Sequence, residues 1–490
     1  MRFGTDGIRG RANTELTCEI ALRFGRAVSS VFNESPVLVG RDNRVSSDMF
    51  FSAIAAGLSS MGSRVIDLKV IPTPGVAYLA HRLELPAVVI SASHNPYYDN
   101  GFKVFDSSGH KISADIESQI EFLINSTEEF RLTSKVGQFE NGTDQIKLWE
   151  QLILNSFFSD FSATIKTETN KTATNKTATN ESKVNNQRTN NQRINAKKQN
   201  SWDTKNLEFK LVVDCANGAT SLFAEKIFRK LGLNVLPIFT EQNGYSINEN
   251  CGAASPNSLV KVVVDTHSDL GLAFDGDGDR IVIVDETGKI IDGDFIIAFY
   301  AKYLKDKGLL TNNGVVVTSM TNLGFELAMK ELEIDVVRTD VGDKNVLMAM
   351  LDRNYVLGGE QSGHIIRRDL SPTGDGLLNA IMLISLILDS GLKVSELFST
   401  VMTSFPQKLA NIELNEQQYA NRDKILEDGR LLEQIKMIES KEGKEFRVVL
   451  RASGTEKLIR VMVEAKSEIL VDEYLNSLLS KVKLIAEDIC

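Results

Sequence analysis

One pattern occurs three times along this chain and constrains its fold more than any other feature. An apolar run, a short polar loop, an amphipathic stretch of helical period and a second apolar run follow one another, and the three first runs end at Gly40, Asp214 and Ser319. Each first run is continuously apolar instead of alternating, which predicts a strand buried on both faces, as in a parallel sheet. Ligands of such sheets bind beyond the carboxyl ends of the strands. The sequence therefore predicts three related α/β domains.

The C-terminal part of the chain has a different pattern. Two strand-like runs flank residues 453–457, and an amphipathic helical stretch ends the chain, which is typical of an α+β unit. A length of 490 residues leaves room for about three or four domains at roughly 100–200 residues each. The expected fold class is α/β, with three related domains that contain βαβ units and a C-terminal α+β domain. The expected boundaries are 1–150, 207–296, 297–405 and 406–490, with a linker over 151–206.

The linker contains a segment of unusual composition. Residues 166–205 are rich in Asn, Thr and Lys, contain a five-residue repeat, and carry nine Lys and Arg against three Asp and Glu. Few of these residues are apolar, so burial cannot offset the entropy cost of ordering them, and we expect disorder. Two interpretations remain, a basic arm that binds a partner such as RNA and a solvated insertion between domains. We favour the insertion and expect no nucleic-acid binding by this segment.

Charge and cysteine content limit the function classes. The chain carries 55 Lys and Arg against 65 Asp and Glu, a net charge of -10, which argues against nonspecific binding to nucleic acid or anionic membranes. The cysteines are far apart in sequence, as in proteins of a reducing compartment. They are Cys18, Cys215, Cys251 and Cys490. We find no secretory signal, and the longest apolar stretch, 376–388, is shorter than the roughly 20 residues of a membrane span. We expect a cytoplasmic protein with no membrane partner, in which 376–388 forms a buried helix.

The densest chemical signal is the segment 272–286, in which Asp275, Asp277 and Asp279 alternate with glycines. An extended chain points the three carboxylates to one side, and the glycines let it curl so that they surround one ion. Hard oxygen ligands of this kind suit Mg²⁺ or Ca²⁺. An EF-hand has similar ligand spacing, but its sixth position requires glycine and holds Arg280 here, and the flanking residues predict strands. We expect a metal site and not an acidic structural turn, because three adjacent carboxylates repel one another without a cation.

A second signal follows another predicted strand. Ser91, Ser93 and His94 come directly after it, at the position where a parallel sheet places reactive side chains. Ser93 is the natural nucleophile or carrier of a phosphoryl group. A serine hydrolase is the alternative, but Ser93 lies in no G-x-S-x-G nucleophile elbow. Lys103 would serve as a general base if burial or a nearby cation lowered its pKa, and otherwise it is a surface lysine.

Two further loops carry polar groups that suit a ligand, a phosphate in the first and vicinal hydroxyls in the second. Arg451, Ser453, Thr455 and the backbone around Gly454 form a cationic, donor-rich turn, to which Arg460 adds charge. The alternative for this turn is a polar hairpin without a ligand.

The other loop spans residues 357–364, where glycines on both sides leave Glu360, Ser362 and His364 able to bind vicinal hydroxyls. A lone histidine is more often a hydrogen-bonded structural residue, which is the alternative for His364. The glycine-rich N-terminus adds Thr5 and Arg9, which would meet the same phosphate as the loop after Ser93.

Five sequence blocks together resemble the α-D-phosphohexomutase family. They are FGTDGIRG, SASHNP, FDGDGDR, GGEQSGH and RASGTE, and they stand in the family order over nearly the whole chain. The resemblance implies four domains around a deep central cleft. It also implies an isomerase that moves a phosphoryl group between O6 and O1 of a hexose through a bisphosphorylated sugar intermediate.

The resemblance assigns roles to the residues above. It implies that Ser93 is carried as phosphoserine, and that one Mg²⁺ per active site lies between its phosphoryl group and the aspartates Asp275, Asp277 and Asp279. The transferred group would be surrounded by Arg9, His94, Lys103 and Arg280, with Lys103 as the general acid/base. Sugar hydroxyls would meet Glu360, Ser362 and His364, and the phosphate that is not reacting would meet Arg451, Ser453, Gly454, Thr455 and Arg460.

The expected substrate is a hexosamine phosphate. The blocks HNPYYDNG and FGTDGIRG resemble the branch of the family that converts glucosamine 6-phosphate to glucosamine 1-phosphate, on the route to UDP-N-acetylglucosamine and cell wall. A bisphosphorylated hexosamine would then be activator and intermediate. Mannose or glucose phosphate is the alternative within the family, and a noncatalytic sugar-phosphate binder is the alternative outside it. The sequence does not indicate the oligomeric state.

Overall fold

The computed structural model describes residues 1–4, 6–127, 130, 134–158, 209–453 and 457–488. The segment 166–205, for which we expect disorder, and Cys490 lie outside these residues. The described chain forms sheets of six, five, four and three strands. This confirms the predicted fold class of three α/β domains followed by an α+β domain.

The first sheet is built around three parallel strands. Its strands are β1 (Ile8–Arg11), β2 (Val37–Arg41), β3 (Val65–Val70), β4 (Ala87–Ile90), β5 (Asp99–Phe105) and β6 (Phe139–Asn141). Its helices are α1 (Cys18–Val31), α2 (Ser47–Ser60), α3 (Thr73–Leu83), α4 (Ala114–Asn125) and α5 (Ile146–Phe158). Strand β2 pairs in parallel with β3 and β4, and β5 pairs antiparallel with both β4 and β1. The continuously apolar run before Gly40 is thus a central parallel strand, as predicted.

The second and third sheets repeat this arrangement. The second contains β7 (Lys210–Asp214), β8 (Asn234–Ile238), β9 (Leu270–Phe274), β10 (Ile281–Asp285) and β11 (Ile290–Ile291), with helices α6 (Ala224–Lys230) and α7 (Asn257–Asp265). The third contains β12 (Gly314–Thr318), β13 (Asp335–Thr339), β14 (Leu357–Gly359) and β15 (Ile365–Arg367). The helices from here to the fourth sheet are α8 (Gly293–Asp306), α9 (Leu323–Glu331), α10 (Asp343–Arg353), α11 (Gly376–Ser390) and α12 (Val394–Ser399).

The three sheets share one connectivity. The first strand of each βαβ unit lies between the second and third strands, parallel to both, and an antiparallel strand pairs with the third. The neighbouring strands are therefore β3-β2-β4-β5 in the first sheet, β8-β7-β9-β10 in the second and β13-β12-β14-β15 in the third. The loops β4–β5, β9–β10 and β14–β15 consequently occupy equivalent positions in the three domains.

The fourth sheet is antiparallel and packs against long helices. It contains β16 (Gln407–Glu413), β17 (Phe446–Ala452) and β18 (Leu458–Ala465), with β18 in the centre. Its helices are α13 (Glu416–Ala420), α14 (Arg422–Leu426), α15 (Gly429–Glu442) and α16 (Glu468–Asp488). Its apolar residues form a core of their own.

Several helices begin at the polar caps that the sequence offers. The side chains of Ser113, Asp292, Asn322 and Asp375 accept backbone N–H groups in the first turns of α4, α8, α9 and α11. Such caps satisfy donors that have no partner inside the helix.

Trp149 of α5 lies where three domains meet. It is fully buried, its ring contacts Phe223 of the second domain edge-on at 5.4 Å, and its Nε1 donates to Asp375 Oδ2 at 2.8 Å in the third domain. Helix α11, which follows Asp375, is buried over most of its length, as predicted for 376–388. None of the helices that the structure describes is long and apolar enough to cross a membrane.

Trp149→Phe is expected to destabilise the protein by about 1–3 kcal/mol, because it leaves a buried carboxylate oxygen of Asp375 without its donor. Urea unfolding followed by circular dichroism measures the change in midpoint. Gln151→Ala, at an exposed position of the same helix, is the matched control. Equal midpoints for the two variants would contradict the assigned role of the Trp149 indole.

Candidate active site

The equivalent loops of the three related sheets line one cleft. The β4–β5 loop carries Ser93, the β9–β10 loop carries the three aspartates, and the β14–β15 loop carries Glu360 and His364. The cavity between them has a volume of about 540 Å³, within the ~300–1,000 Å³ typical of small-molecule sites. Its walls include Asp6, Arg9, His94, Asp279, Arg280, Asp292, Asp343, Glu360, Ser362 and His364.

Ser93 lies against the aspartate loop of the second domain. Its buried hydroxyl donates to Asp275 Oδ2 at 2.7 Å and lies 3.3 Å from His94 Nδ1. Its backbone φ is +52°, in the left-handed region that residues other than glycine seldom adopt. The structure thus brings together the serine and the metal-binding motif that the sequence singled out separately.

The three aspartates converge as the sequence predicts. Asp275, Asp277 and Asp279 are buried, and one ligand atom of each lies within 4.8 Å of the others. Oδ1 of both Asp277 and Asp279 has no hydrogen-bond partner among the described residues. Burial raises the pKa of Asp275 well above its usual value, and the charges of Asp279 and Asp277 raise it further. Buried carboxylates with unpartnered oxygens fit a metal ion, which would neutralise their repulsion.

Lys103 differs from its sequence-based expectation. Its Nζ lies 2.9 Å from Asp277 Oδ2 and 3.0 Å from Asp6 Oδ2, and its side chain is buried. Burial alone lowers the pKa of the Lys103 ammonium, but the charges of Asp277, Asp6 and Asp279 together raise it. We expected Lys103 to act as a general base if its pKa were lowered, and that condition is not met, because the neighbouring carboxylates raise its pKa. Lys103 is therefore not a surface lysine but a buried side chain whose ammonium form the neighbouring carboxylates stabilise.

Asp6 and Lys111 belong to the site although the sequence analysis did not select them. Asp6 pairs with Arg9, Lys103 and Lys111, and Lys111 Nζ also lies 2.7 Å from Asp343 Oδ2. Burial raises the pKa of Asp6, but these three cations lower it well below its usual value. Asp6 lies inside the block FGTDGIRG, and this position could have identified it as a site residue. Nothing in the sequence indicates that Lys111 pairs with Asp343. Together these charges join the first domain to the third.

His94 contributes a hydrogen-bonding group and not a charge. Burial lowers its pKa to about 3, and the cations Arg280 and Arg9 act in the same direction. Arg9 Nη1 also donates to Asn95 Oδ1 at 3.2 Å. The structure therefore supplies fixed positive charge at this end of the cleft from two arginines and not from the imidazole.

The β14–β15 loop offers open polar groups to the cleft. Glu360 Oε1 accepts from the Gly342 N–H at 3.1 Å, and Ser362 is exposed. His364 is 2% exposed, yet neither ring nitrogen has a hydrogen-bond partner among the residues described. A Cβ at Gly374 would lie 2.5 Å from the His364 ring, so glycine is needed to hold the imidazole there. Polar groups on a cleft wall with unused hydrogen-bonding capacity suit sugar hydroxyls.

The fourth domain supplies a pair of arginines beside this loop. Arg451 on β17 and Arg460 on β18 are directly opposite each other in the sheet. Burial lowers the pKa of Arg451, and the charge of Arg460 lowers it further, while Asp340 and Glu360 act in the opposite direction. Two adjacent guanidinium groups favour a bound anion such as phosphate.

The structure does not bring every predicted residue into the cavity. No described residue of the fourth domain is among those that line it. Ser453 is buried, and its carbonyl accepts from the Tyr419 hydroxyl at 2.8 Å. Thr5, Gly454 and Thr455 lie outside the described residues.

Models of the phosphoglucomutase/phosphomannomutase family match four parts of the chain. The alpha/beta/alpha domain I matches residues 1–131, domain II matches 190–288, domain III matches 292–405, and the C-terminal domain matches 409–480. The four matches follow the order of the four sheets and cover most of the chain.

Two relatives are similar over nearly their full lengths. A phosphoglucosamine mutase of Carboxydothermus hydrogenoformans is 39% identical over 489 residues, which cover 98% of this chain and 99% of the relative. A phosphoglucosamine mutase of Listeria monocytogenes is 41% identical over 486 residues, which cover 96% of each chain.

Solved structures show the same fold at lower identity. A phosphoglucomutase/phosphomannomutase family protein from Burkholderia thailandensis has a TM-score of 0.73 and 22% identity, covering 98% of this chain and 97% of its own. The N-acetylphosphoglucosamine mutase of Aspergillus fumigatus, in complex with GlcNAc-6P and magnesium, has a TM-score of 0.64 and 19% identity, covering 99% of this chain and 96% of its own.

A divalent cation is expected to raise the thermal stability of the protein through the aspartate loop. Binding to the folded state alone contributes about 2.7 kcal/mol at a hundredfold excess over the Kd. Asp279→Asn should abolish most of the rise in melting temperature that Mg²⁺ produces over EDTA, because it removes a ligand oxygen and a charge. Asp265→Asn, at an exposed position of the same domain, should keep the full rise. An undiminished rise in Asp279→Asn would contradict a metal site at this loop.

Proposed function

The chain belongs to the phosphoglucomutase/phosphomannomutase family, and we propose that it acts there as a phosphoglucosamine mutase, interconverting glucosamine 6-phosphate and glucosamine 1-phosphate. It is an isomerase that works by intramolecular phosphoryl transfer. Relatives of that name at 39% and 41% identity over nearly the full chain support the proposal. The observation that carries it is the 2.7 Å contact between the Ser93 hydroxyl and Asp275, which unites a nucleophile with a cation-binding loop.

The proposed domain boundaries are those expected from the sequence, 1–150, 207–296, 297–405 and 406–490, with a linker over 151–206. Each of the four sheets falls within one of these ranges, whereas helix α5 continues to Phe158, beyond the boundary at 150, and helix α8 crosses the boundary at 296. The cleft therefore lies between domains and not inside one of them.

The proposed metal is Mg²⁺, held by Asp275, Asp277, Asp279 and an oxygen on Ser93. Hard carboxylate oxygens favour this ion, and its chemistry when bound is to neutralise negative charge on a phosphoryl group during transfer. Arg280 and Arg9 add fixed positive charge to the same region. Phosphoryl transfer requires mainly positioning and such charge neutralisation.

In the first transfer, Ser93 carries the phosphoryl group as phosphoserine and a hydroxyl of the hexosamine phosphate attacks it. The bond from phosphorus to Ser93 Oγ breaks as a bond from phosphorus to the sugar oxygen forms. The products are the serine hydroxyl and a bisphosphorylated hexosamine. The intermediate turns over within the cleft, and Ser93 Oγ then attacks its other phosphate, so that phosphate moves between O6 and O1.

Lys103 balances the protons of each transfer. The raised pKa keeps Lys103 as an ammonium, which donates a proton to the departing Ser93 oxygen and recovers the proton that the attacking hydroxyl releases. In the second transfer Lys103 donates a proton to the departing sugar oxygen and recovers the proton that the attacking Ser93 hydroxyl releases. The neutral His94 imidazole, 3.3 Å from Ser93 Oγ, adds a hydrogen bond at the same oxygen.

The remaining residues hold the sugar. Glu360, Ser362 and His364 bind ring hydroxyls from the β14–β15 loop. The support for this role is that the His364 ring nitrogens lie on the cleft wall and make no hydrogen bond among the described residues, with Nε2 3.9 Å from Asp343 Oδ2. The Arg451 and Arg460 pair, with Ser453, Gly454 and Thr455, binds the phosphate that is not reacting. No described residue of the fourth domain lines the cavity, and in this role the domain approaches the cleft when phosphate binds.

Ser93→Ala is expected to reduce mutase activity at least ~10³-fold, because it removes the group that carries phosphate. Conversion of glucosamine 6-phosphate is assayed with Mg²⁺ and a trace of bisphosphorylated sugar, and intact mass reports the phosphate on the enzyme. Ser52→Ala, at an exposed serine of the first domain, should behave as the wild type. Activity unchanged in Ser93→Ala would exclude the mechanism, and a higher kcat/KM for mannose or glucose phosphate would assign the chain to another branch.

Arg451→Ala is expected to lower kcat/KM about 10–100-fold, mainly through KM, because a hydrogen bond to a charged group contributes about 1.5–3 kcal/mol. Lys444→Ala removes an exposed cation from the same domain and controls for net charge. If steady-state kinetics show equal KM values for the two variants, Arg451 does not bind the phosphate.

A further inference from the structure

Two nitrogen atoms from different domains share the same two carbonyl groups of the serine loop. Arg44 Nη2, from the first domain, donates to the carbonyl oxygens of Ser93 at 2.7 Å and Asn95 at 2.9 Å. Asn248 Nδ2, from the second domain, donates to the same oxygens at 2.9 Å and 3.0 Å. Each carbonyl therefore uses both of its acceptor sites, one toward each domain.

Arg44 holds the loop from the inside of the first domain. Its side chain is fully buried, and its Nε donates to Asp42 Oδ2 at 2.9 Å. Its Nη1 donates to the carbonyl of Asp99 at 3.1 Å and to that of Pro96. A planar guanidinium with donors fixed on both sides suits this task better than a lysine ammonium.

The N–H side of the loop is held by the same carboxylate. Asp42 Oδ2 accepts from Ser91 Oγ at 2.7 Å, and Ser91 Oγ in turn accepts from the Ser93 N–H at 2.9 Å. Both the N–H group and the carbonyl group of Ser93 are therefore held by hydrogen bonds. This matters because a left-handed φ of +52° costs free energy, of order 1–3 kcal/mol, and persists only where surrounding contacts determine it.

Asn248 adds the contact that crosses the domain boundary. Its own N–H donates to the Ala216 carbonyl at 2.9 Å, so it is anchored in the second domain. A Cβ at position 276 would lie 2.7 Å from both Asn248 Nδ2 and the Ser93 carbonyl oxygen. Gly276 lies between Asp275 and Asp277. Because it has no side chain, the Asn248 amide has room to reach the Ser93 carbonyl next to the aspartate loop.

We infer that Asn248 is a positioning residue for phosphoryl transfer, holding the Ser93 loop in register with the aspartate loop through the two carbonyls that Arg44 also binds. The inference rests on the proposed function, because it assigns to Asn248 the geometry of that reaction. Without the amide, the Ser93 loop keeps its contacts inside the first domain but loses a direct tie to the second. The distance between Ser93 Oγ and Asp275 then varies, and near-attack geometry is populated less often.

A single-turnover experiment separates positioning from stability. Enzyme that carries a ³²P-labelled phosphate on Ser93 is mixed with saturating glucosamine 6-phosphate, and transfer of the label from protein to sugar phosphate is followed by rapid quench, because the phosphate that returns to Ser93 comes from the unlabelled sugar. The rate constant is taken from the phosphorylated fraction alone, so that misfolded protein does not contribute. Asn248→Asp keeps the size of the side chain but replaces the donor with a carboxylate that repels the two carbonyls, and Asn248→Ala removes the donor without adding charge.

The expected result is a rate constant lowered about 10–100-fold in Asn248→Asp and about 10-fold in Asn248→Ala, since misplacement by 1 Å can cost 10²-fold. The sugar-phosphate KM should stay within about twofold, because Asn248 does not touch the substrate phosphate site on the fourth domain. Asn250→Asp is the matched control, because Asn250 is exposed and has a similar φ of +54°. Hydrogen exchange in residues 91–99 should rise in both Asn248 variants and not in Asn250→Asp.

Two outcomes distinguish this inference from the proposed function. Wild-type enzyme that does not turn over any hexose phosphate overturns the function itself. Active wild type, with Asn248→Asp and Asn250→Asp rate constants within twofold of it, overturns the positioning role alone. A variant that keeps the wild-type melting temperature but never accepts phosphate from a hexose bisphosphate supports the inference, because uptake uses the same geometry in reverse.

Discussion

The buried ion pair between Lys103 and Asp277 is the interaction on which the site depends. Both side chains are 1% exposed, and the pair joins the first domain to the second at 2.9 Å. Breaking such a pair by removing one partner typically costs about 3–5 kcal/mol, because a charge is left buried without compensation. Thr73 Oγ1 adds a donor to the same carboxylate oxygen at 2.6 Å. These charges are satisfied only when the two sheets are docked, and the docked arrangement places the Ser93 hydroxyl against Asp275.

A second regularity explains why three separate sequence motifs form one site. In each related sheet the functional loop follows the third strand of the same connectivity, and in the first two domains the loop after the first strand contacts the functional loop. In the first domain the loop after the first strand contributes Arg44 to the carbonyls of the serine loop. In the second, the Ala219 N–H donates to the Gly276 carbonyl at 2.9 Å. One supporting arrangement thus serves two loops of different chemistry, a nucleophile in one and cation ligands in the other.

Much of this could be predicted from the sequence, and the two exceptions have different causes. Continuous apolar runs predicted the parallel strands, and carboxylates that alternate with glycine predicted the cluster at residues 275–279, because both signals are local. The pKa of Lys103 was not predictable, since it depends on Asp6 and Asp277, which lie far from it in the chain. The role of Asn248 was not predictable for a different reason. Asn248 binds backbone carbonyls, which every residue has, so no side-chain pattern marks its partners.

The place of Trp149 has an optical consequence. Its indole is buried between the first domain, Phe223 of the second and Asp375 of the third. The chain has two tryptophans, Trp149 and Trp202. Replacing Trp202 with Phe would leave one tryptophan, whose emission wavelength, with excitation at the red edge where tyrosine does not absorb, responds to water and to the charge beside its Nε1. Intrinsic fluorescence of that protein would then report on the junction of three domains during turnover, without an attached dye.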